Sequence, residues 1–179
     1  MASPTGKLQR NFGAYAMMEG ANVVLVPALA LWFGWPRSGS EIWAMAISIF
    51  AVSGLLVVGT LFWHGIDLRL KGKGGSAAGR AVKFADAAQR PMAIATAASV
   101  VGAVAAFAIN GPSNAAIAAA LLSLLAVLEY VNYYHRQLQV FDNAADMRRL
   151  LSTRQLKRAH LARELAAYRK TLKASAATR

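Results

Sequence analysis

The chain has 179 residues, of which 56% are hydrophobic and only 16% are charged. A soluble domain carries about 25% charged residues, and a single soluble core cannot absorb several uncharged apolar runs of about 20 residues each. The net charge is +12, and the absence of cysteine excludes disulfides, thiolate metal sites and cysteine nucleophiles. The composition therefore predicts an all-α integral membrane protein.

Two apolar helices near the N-terminus are predicted to form a transmembrane hairpin. A polar segment over residues 1–11 precedes a first span over about 12–35. Ser38, followed three residues later by Glu41, matches a capping box, in which the two side chains satisfy free amides at the start of a helix. The second span is therefore expected over about 39–63.

A basic connection over residues 64–90 follows the second span. It contains six Lys and Arg residues and several glycines, so we expect a loop that is flexible in its first half. A short surface helix is expected over 79–89. The third span is predicted over about 91–110 and the fourth over about 114–134, with an uncharged turn between them.

Small residues recur at four-residue spacing on the last two predicted spans. They are Ala98, Gly102 and Ala106 on the third span, and Ala115, Ala119 and Ser123 on the fourth. Such rows let helix backbones approach closely in lipid. The expected fold is thus an integral membrane four-helix bundle of two transmembrane hairpins, over residues 12–135.

Residues 136–179 form a basic tail with 11 Lys and Arg residues against three acidic ones. Apolar residues spaced by threes and fours predict a long amphipathic cytoplasmic helix. Six basic residues are candidates for contact with anionic lipid or a partner: Arg148, Arg149, Arg154, Lys157, Arg158 and Arg163. Nucleic acid ranks last as a partner, because Tyr168 is the only aromatic residue there that could stack on a base.

The distribution of basic residues predicts the orientation in the membrane. The N-terminal segment, the central connection and the tail hold all but one of the Lys and Arg residues, and only Arg37 lies on the other side. The positive-inside rule then places both termini in the cytoplasm, and the bacterial inner membrane is the expected location. Aromatic residues also cluster near the span ends, as an interfacial belt requires: Trp32, Trp35, Trp43, Trp63, Tyr130, Tyr133 and Tyr134.

Two glutamates lie inside predicted spans, where a charge costs a few kcal/mol. Glu19 and Glu129 sit at similar depth in the cytoplasmic half, and each is followed at i+3 by an asparagine, Asn22 and Asn132. Two interpretations stay open for this intramembrane polar cluster. One is interhelical hydrogen bonding that includes tyrosine hydroxyls, and the other is a relay for a proton or cation.

A metal or haem site is a third hypothesis. His64 and Asp67 share a helix face where the second span ends, and His135 marks the end of the fourth span. These side chains are ligands for zinc or iron, and the two histidines could be axial haem ligands. No specific metal motif and no catalytic motif accompanies them, so the sequence predicts neither an enzyme nor a resident cofactor.

Three functions follow in order of preference. The first is a non-enzymatic assembly or interaction subunit of a membrane complex or homo-oligomer, which contacts lipids and partners through its small-residue faces and basic tail. The alternative is a proton- or cation-coupled small transporter or channel subunit that uses Glu19 and Glu129, with a helix bend at Pro27 opening a path. The third is a haem- or metal-binding membrane protein.

Overall fold

The computed structural model describes residues 4–73, 75–138, 148, 152 and 156–177, and the side chains of α1 from residue 12. This part of the chain is all helical and contains no strand. Its five helices are α1 (Pro4–Phe33), α2 (Gly39–Leu70), α3 (Gly75–Asn110), α4 (Asn114–Tyr134) and α5 (His160–Ala177). The segments long and apolar enough to cross a membrane are Phe12–Phe33, Gly39–Leu70, Ser76–Asn110 and Asn114–Tyr134. The prediction of an all-helical chain with four apolar helices long enough to cross a membrane is confirmed, and their composition indicates a membrane protein.

Helix α2 is the central element, because it packs against α1, α3 and α4. Its apolar residues Val52, Leu55 and Phe62 are almost fully buried. Helix α1 lies at the edge, where Val24 and Leu29 stay 69% and 61% exposed. Large apolar side chains exposed on a long apolar helix are what contact with lipid requires, so α1 presents a broad face to the membrane.

The predicted capping box at the start of α2 is confirmed. The Ser38 hydroxyl accepts a hydrogen bond from the amide of Glu41 at 3.3 Å, and the Glu41 carboxylate accepts from the amides of Ser38 at 3.2 Å and Arg37 at 2.8 Å. The other carboxylate oxygen of Glu41 accepts from the hydroxyl of Ser113, the N-cap of α4. One side chain thus joins the start of α2 to the start of α4.

The prediction of a loop over residues 64–90 is wrong as far as secondary structure is concerned. Helix α2 continues to Leu70 and α3 begins at Gly75, so only a turn centred on Gly72, with φ of +67°, separates them in the described residues. The charged residues suggested a loop, but four residues at helical spacing bury one face of α3: Ala78, Ala81, Val82 and Ala85. The expected short helix over 79–89 is part of this longer helix, which continues through Pro91.

The two central helices are longer than a membrane is thick. At a rise of about 1.5 Å per residue, the 32 residues of α2 and the 36 of α3 extend about 48 and 54 Å, against a hydrocarbon core of about 30 Å. A helical hairpin of this length that crosses a membrane extends beyond the lipid tails. The charged residues near its turn can then stay in water.

Helix α5 covers this end of the molecule. Its residues Leu161, Ala162 and Leu165 are buried, and Arg169 Nη2 lies 2.6 Å from an Asp86 carboxylate oxygen on α3. The residues just after α4 pair in antiparallel fashion with the residues just before α5: Arg136 lies opposite Arg158, and Gln137 N donates to the carbonyl of Lys157 at 2.8 Å. The start of α5 is thereby held next to the end of α4.

Apart from the exposed Ala98, the residues of the small-residue rows pack inside the molecule. Ala106 and Ala119 are fully buried in one cluster with Ala44 of α2, and Gly102 lies against the backbone of the same Ala44. The hydroxyl of Ser123 lies 2.9 Å from that of Ser48 on α2. These rows join helices of one chain, so most of their surface is not available to a second chain.

Candidate functional site

The site is built around Glu19 of α1, whose side chain lies inside the protein with only 4% of the residue exposed. One carboxylate oxygen accepts a hydrogen bond from the indole Nε1 of Trp63 on α2 at 3.2 Å. The other accepts from the hydroxyl of Tyr133 on α4. Three helices therefore meet at a single carboxyl group.

The second carboxyl group belongs to Glu129, which precedes Tyr133 by one helical turn on α4. The Tyr133 hydroxyl also interacts electrostatically with this carboxyl group. The Oε2 atom of Glu129 is buried, and no described residue forms a hydrogen bond with it. One phenol hydroxyl thus lies between two carboxyl groups, one from α1 and one from α4.

Gly59 of α2 makes room for this arrangement. A Cβ atom at this position would overlap the Glu19 carboxylate and the Tyr133 hydroxyl. The absence of a side chain lets the polar groups of α1 and α4 meet directly against the α2 backbone. We therefore count Gly59 as part of the site, although it donates no polar side-chain atom.

Aromatic rings surround Trp63 and shield the end of the site. Its ring stacks on Phe12 at a centroid distance of 5.4 Å and also contacts Tyr15 at 5.8 Å and Phe62 at 5.1 Å. His160, the first residue of α5, contacts it at 5.8 Å. This cluster covers the side of the Glu19 carboxyl group that faces Trp63.

The two asparagines of the predicted cluster have different surroundings. The side chain of Asn132 contacts the Glu129 carboxyl group, and its Oδ1 accepts from the amide of Leu138 at 2.9 Å. It therefore also fixes the chain as it leaves α4. Asn22 is half-buried on α1, and no hydrogen bond joins it to the carboxyl pair in the described residues.

The residues of the metal or haem hypothesis lie in three different surroundings. His64 is exposed on α2, Asp67 is buried and pairs with Lys71 at 2.6 Å, and His135 is exposed with its ring 5.6 Å from Tyr130. In the ranges that the structure describes, no three His, Cys, Asp or Glu side chains come together as a metal-ligand group. The hypothesis has no geometric support and stays a prediction.

Four of the basic residues expected to contact lipid or a partner belong to the described residues. Arg148, Arg158 and Arg163 are exposed, and Lys157 is half-buried beside the end of α4. Arg149 and Arg154 lie outside the described residues. The exposed guanidinium groups are accessible to an anionic ligand.

Sequence reasoning missed Tyr133, Trp63 and Gly59 as site residues. The aromatic residues lie near span ends and were assigned to the interfacial belt. A signal did exist for Tyr133, because a residue four positions after Glu129 lies on the same helix face. No comparable pattern distinguishes Gly59 from the other glycines of the spans.

Comparison with protein-family models, with curated proteins and with solved structures finds no match for this chain. The class of protein therefore follows from the fold alone. Four apolar helices of spanning length, with charged groups sequestered between them, indicate a multi-pass helical membrane protein.

Proposed function

We propose that this membrane protein takes up and releases a proton at the Glu19–Tyr133–Glu129 group, as a proton-coupled small transporter or channel subunit. The observation that carries the proposal is the position of one phenol hydroxyl between two carboxyl groups on different helices. Such groups are costly in an apolar environment, and in membrane proteins they mark proton and ion pathways.

Counting hydrogen atoms supports a bound proton. A tyrosine hydroxyl donates only one hydrogen bond, and that of Tyr133 goes to Glu19. If both carboxyl groups were ionised, Glu129 would face the same hydroxyl without receiving its hydrogen. With one proton on Glu129, its O–H donates to the Tyr133 oxygen, and a continuous chain runs from Glu129 to Glu19. Proton transfer along this chain requires no large movement of a side chain.

We further propose an arrangement in the membrane that suits this role. The four apolar helices form one bundle in the bacterial inner membrane, with the N-terminus, the turn at Gly72 and α5 on the cytoplasmic side. The support is the concentration of Lys and Arg on that side, with Arg37 alone on the other. Four spans provide few helices to surround a pathway, so this function also implies a homo-oligomer.

The assembly-subunit function is the second candidate, and the way in which α5 packs against α2 and α3 favours it. Ion pairs from Arg69 to Glu164 at 3.0 Å and from Arg169 to Asp86 at 2.6 Å hold the helix in place. The other basic residues of this helix, Arg163, Lys170 and Lys173, are exposed. A fixed basic helix is a suitable contact surface for an acidic partner. The small-residue rows give this function less support, because all their members except Ala98 are buried or half-buried.

The test is proton flux into liposomes that contain the purified protein and a pH-sensitive dye. Under an imposed pH gradient we expect the wild type to conduct protons and Glu19→Gln and Glu129→Gln to lose at least tenfold in rate. Glu164→Gln is the matched control, because it removes an exposed carboxylate at the surface and should leave the rate unchanged. Wild-type liposomes that are as proton-tight as empty ones would exclude transport and favour the assembly function. Equal rates in all four proteins would assign the carboxyl pair to structural hydrogen bonding.

A further inference from the structure

A cavity of about 420 Å³ opens where α5 crosses the ends of α1 and α2. Its lining includes the apolar side chains Phe12, Trp63 and Leu70, called the floor below, and the guanidinium groups of Arg69 and Arg163, called the rim. The volume falls within the range of about 300–1,000 Å³ that is typical of ligand pockets. The cavity is thus amphipathic, because both apolar carbon and guanidinium groups line it.

The charge of the rim is positive. Arg69 pairs with Glu164 at 3.0 Å, so these two charges offset each other. The guanidinium of Arg163 instead lies 2.9 Å from the Nδ1 atom of His160, which is not a carboxylate. Two guanidinium groups against one carboxylate leave an excess positive charge at the cavity mouth. Guanidinium groups form their strongest hydrogen bonds with carboxylates and phosphates.

The position of the cavity identifies the class of ligand. The predicted first span begins at residue 12 and the second ends at residue 63, so Phe12 and Trp63 lie at span ends, whereas Arg69 and Leu70 lie beyond the second span. The cavity therefore lies at the boundary between the apolar segments and the polar end of the molecule. A free phosphate would leave the apolar floor unused. A phospholipid would place its phosphate against the guanidinium groups and its hydrocarbon against the apolar side chains.

We propose that this cavity binds the phosphate group of an anionic phospholipid, with Arg163 as the main anion contact and Trp63 and Leu70 against the lipid glycerol and upper acyl chain. This proposal is independent of the proton-binding function. The two sites are neighbours, however, because Trp63 lines the cavity and donates its indole N–H to Glu19. A bound lipid would therefore contact the residue that closes the carboxyl site.

The experiment measures binding of dioleoyl phosphatidylglycerol to the purified full chain in detergent, by native mass spectrometry, with phosphatidylcholine as the zwitterionic comparison. We expect the wild type to prefer phosphatidylglycerol and Arg163→Gln to bind it about tenfold more weakly, the effect of losing one charge-assisted hydrogen bond. Lys173→Gln is the matched control, because it removes one positive charge from an exposed position of the same helix that does not line the cavity.

Three results would overturn the proposal. No preference for phosphatidylglycerol in the wild type would exclude an anionic lipid site. Equal weakening in Arg163→Gln and Lys173→Gln would indicate general attraction to the basic helix. Complete displacement of the lipid by millimolar inorganic phosphate would assign the cavity to a soluble anion. Thermal unfolding of each variant shows that the compared proteins are folded, and Arg69→Gln provides a second test of the same rim.

Discussion

The hydroxyl of Tyr133 on α4 donates a hydrogen bond to the carboxylate of Glu19 on α1, across 114 positions of the sequence. This bond joins the first and the last of the four apolar helices at a point where both side chains are almost fully buried. Because the acceptor is a carboxyl group, the bond is of the stronger, charge-assisted kind when Glu19 is ionised. Its loss should affect both stability and function.

Tyr133→Phe removes the hydroxyl and keeps the ring. We expect a loss of about 1–3 kcal/mol in the free energy of unfolding, because the buried Glu19 carboxyl group loses one of its two donors and keeps only Trp63, and a large fall in proton flux. Tyr134→Phe is the matched control, because the neighbouring Tyr134 hydroxyl donates to the carbonyl of Ala85 at 3.0 Å and not to Glu19 or Glu129. Unfolding in detergent and liposome flux measure the two effects. Equal flux in the two variants would contradict the role of Tyr133.

Gly59→Ala tests whether the site needs the empty position on α2. The added Cβ would overlap the Glu19 carboxylate and the Tyr133 hydroxyl, which are held by each other. We expect a cost of about 1–3 kcal/mol, typical of overpacking, together with loss of flux. Gly54→Ala is the comparison, because its Cβ would meet only the flexible Met92 side chain, at 2.6 Å from the sulfur. A thermal shift as small as that of Gly54→Ala would show that the site tolerates a methyl group.

Ser123→Ala and Ser48→Ala should differ, although the two hydroxyls lie 2.9 Å apart. The single hydrogen of the Ser123 hydroxyl is directed at the carbonyls of Ser99 at 2.9 Å and Ala119 at 2.8 Å, so the Ser48 hydroxyl donates to the Ser123 oxygen. Its removal leaves the buried Ser48 hydroxyl without that acceptor, so we expect a cost of about 1 kcal/mol. Removal of Ser48 leaves Ser123 bonded and should cost less. Unfolding of the single and double variants gives the coupling between them, and equal single effects would contradict this asymmetry.

The proposed orientation is testable because the native chain contains no cysteine. Arg37→Cys and Lys173→Cys place single thiols at exposed positions on opposite sides of the proposed membrane. We expect a membrane-impermeant maleimide to label Arg37→Cys in cells with a permeable outer membrane, and Lys173→Cys only after the inner membrane is opened. The reverse labelling pattern would show that the protein has the opposite orientation in the membrane.

Much of the architecture was predictable from the sequence because lipid imposes a strong constraint on composition. The fourth helix was expected over 114–134 and occupies Asn114–Tyr134. The Ser38 capping box was predicted correctly because its signature is local. Glu19 and Glu129 were recognised for the same reason, since a charge stands out in an apolar run.

The remaining features depend on contacts distant in sequence. Charge made residues 64–90 resemble a loop, but helix α5 and the buried alanines stabilise a helix there. Tyr133 was indistinguishable from an interfacial tyrosine until Glu19 was placed beside it. The small-residue rows were recognised, but a single sequence does not tell whether such a row meets a helix of the same chain or of another.

The contribution of α4 to both ends of the molecule has a consequence for biosynthesis. Near one end, Glu41 accepts a hydrogen bond from the hydroxyl of Ser113, and near the other end Glu19 accepts one from the hydroxyl of Tyr133. Ser113 directly precedes α4, and Tyr133 belongs to it. The ribosome makes α4 last of the four apolar helices. Until it arrives, the hairpin of α1 and α2 holds two glutamates without these partners in or near the lipid. We therefore expect the first hairpin to be incomplete until α4 is inserted, and a chain truncated before α4 to be a substrate for membrane quality control.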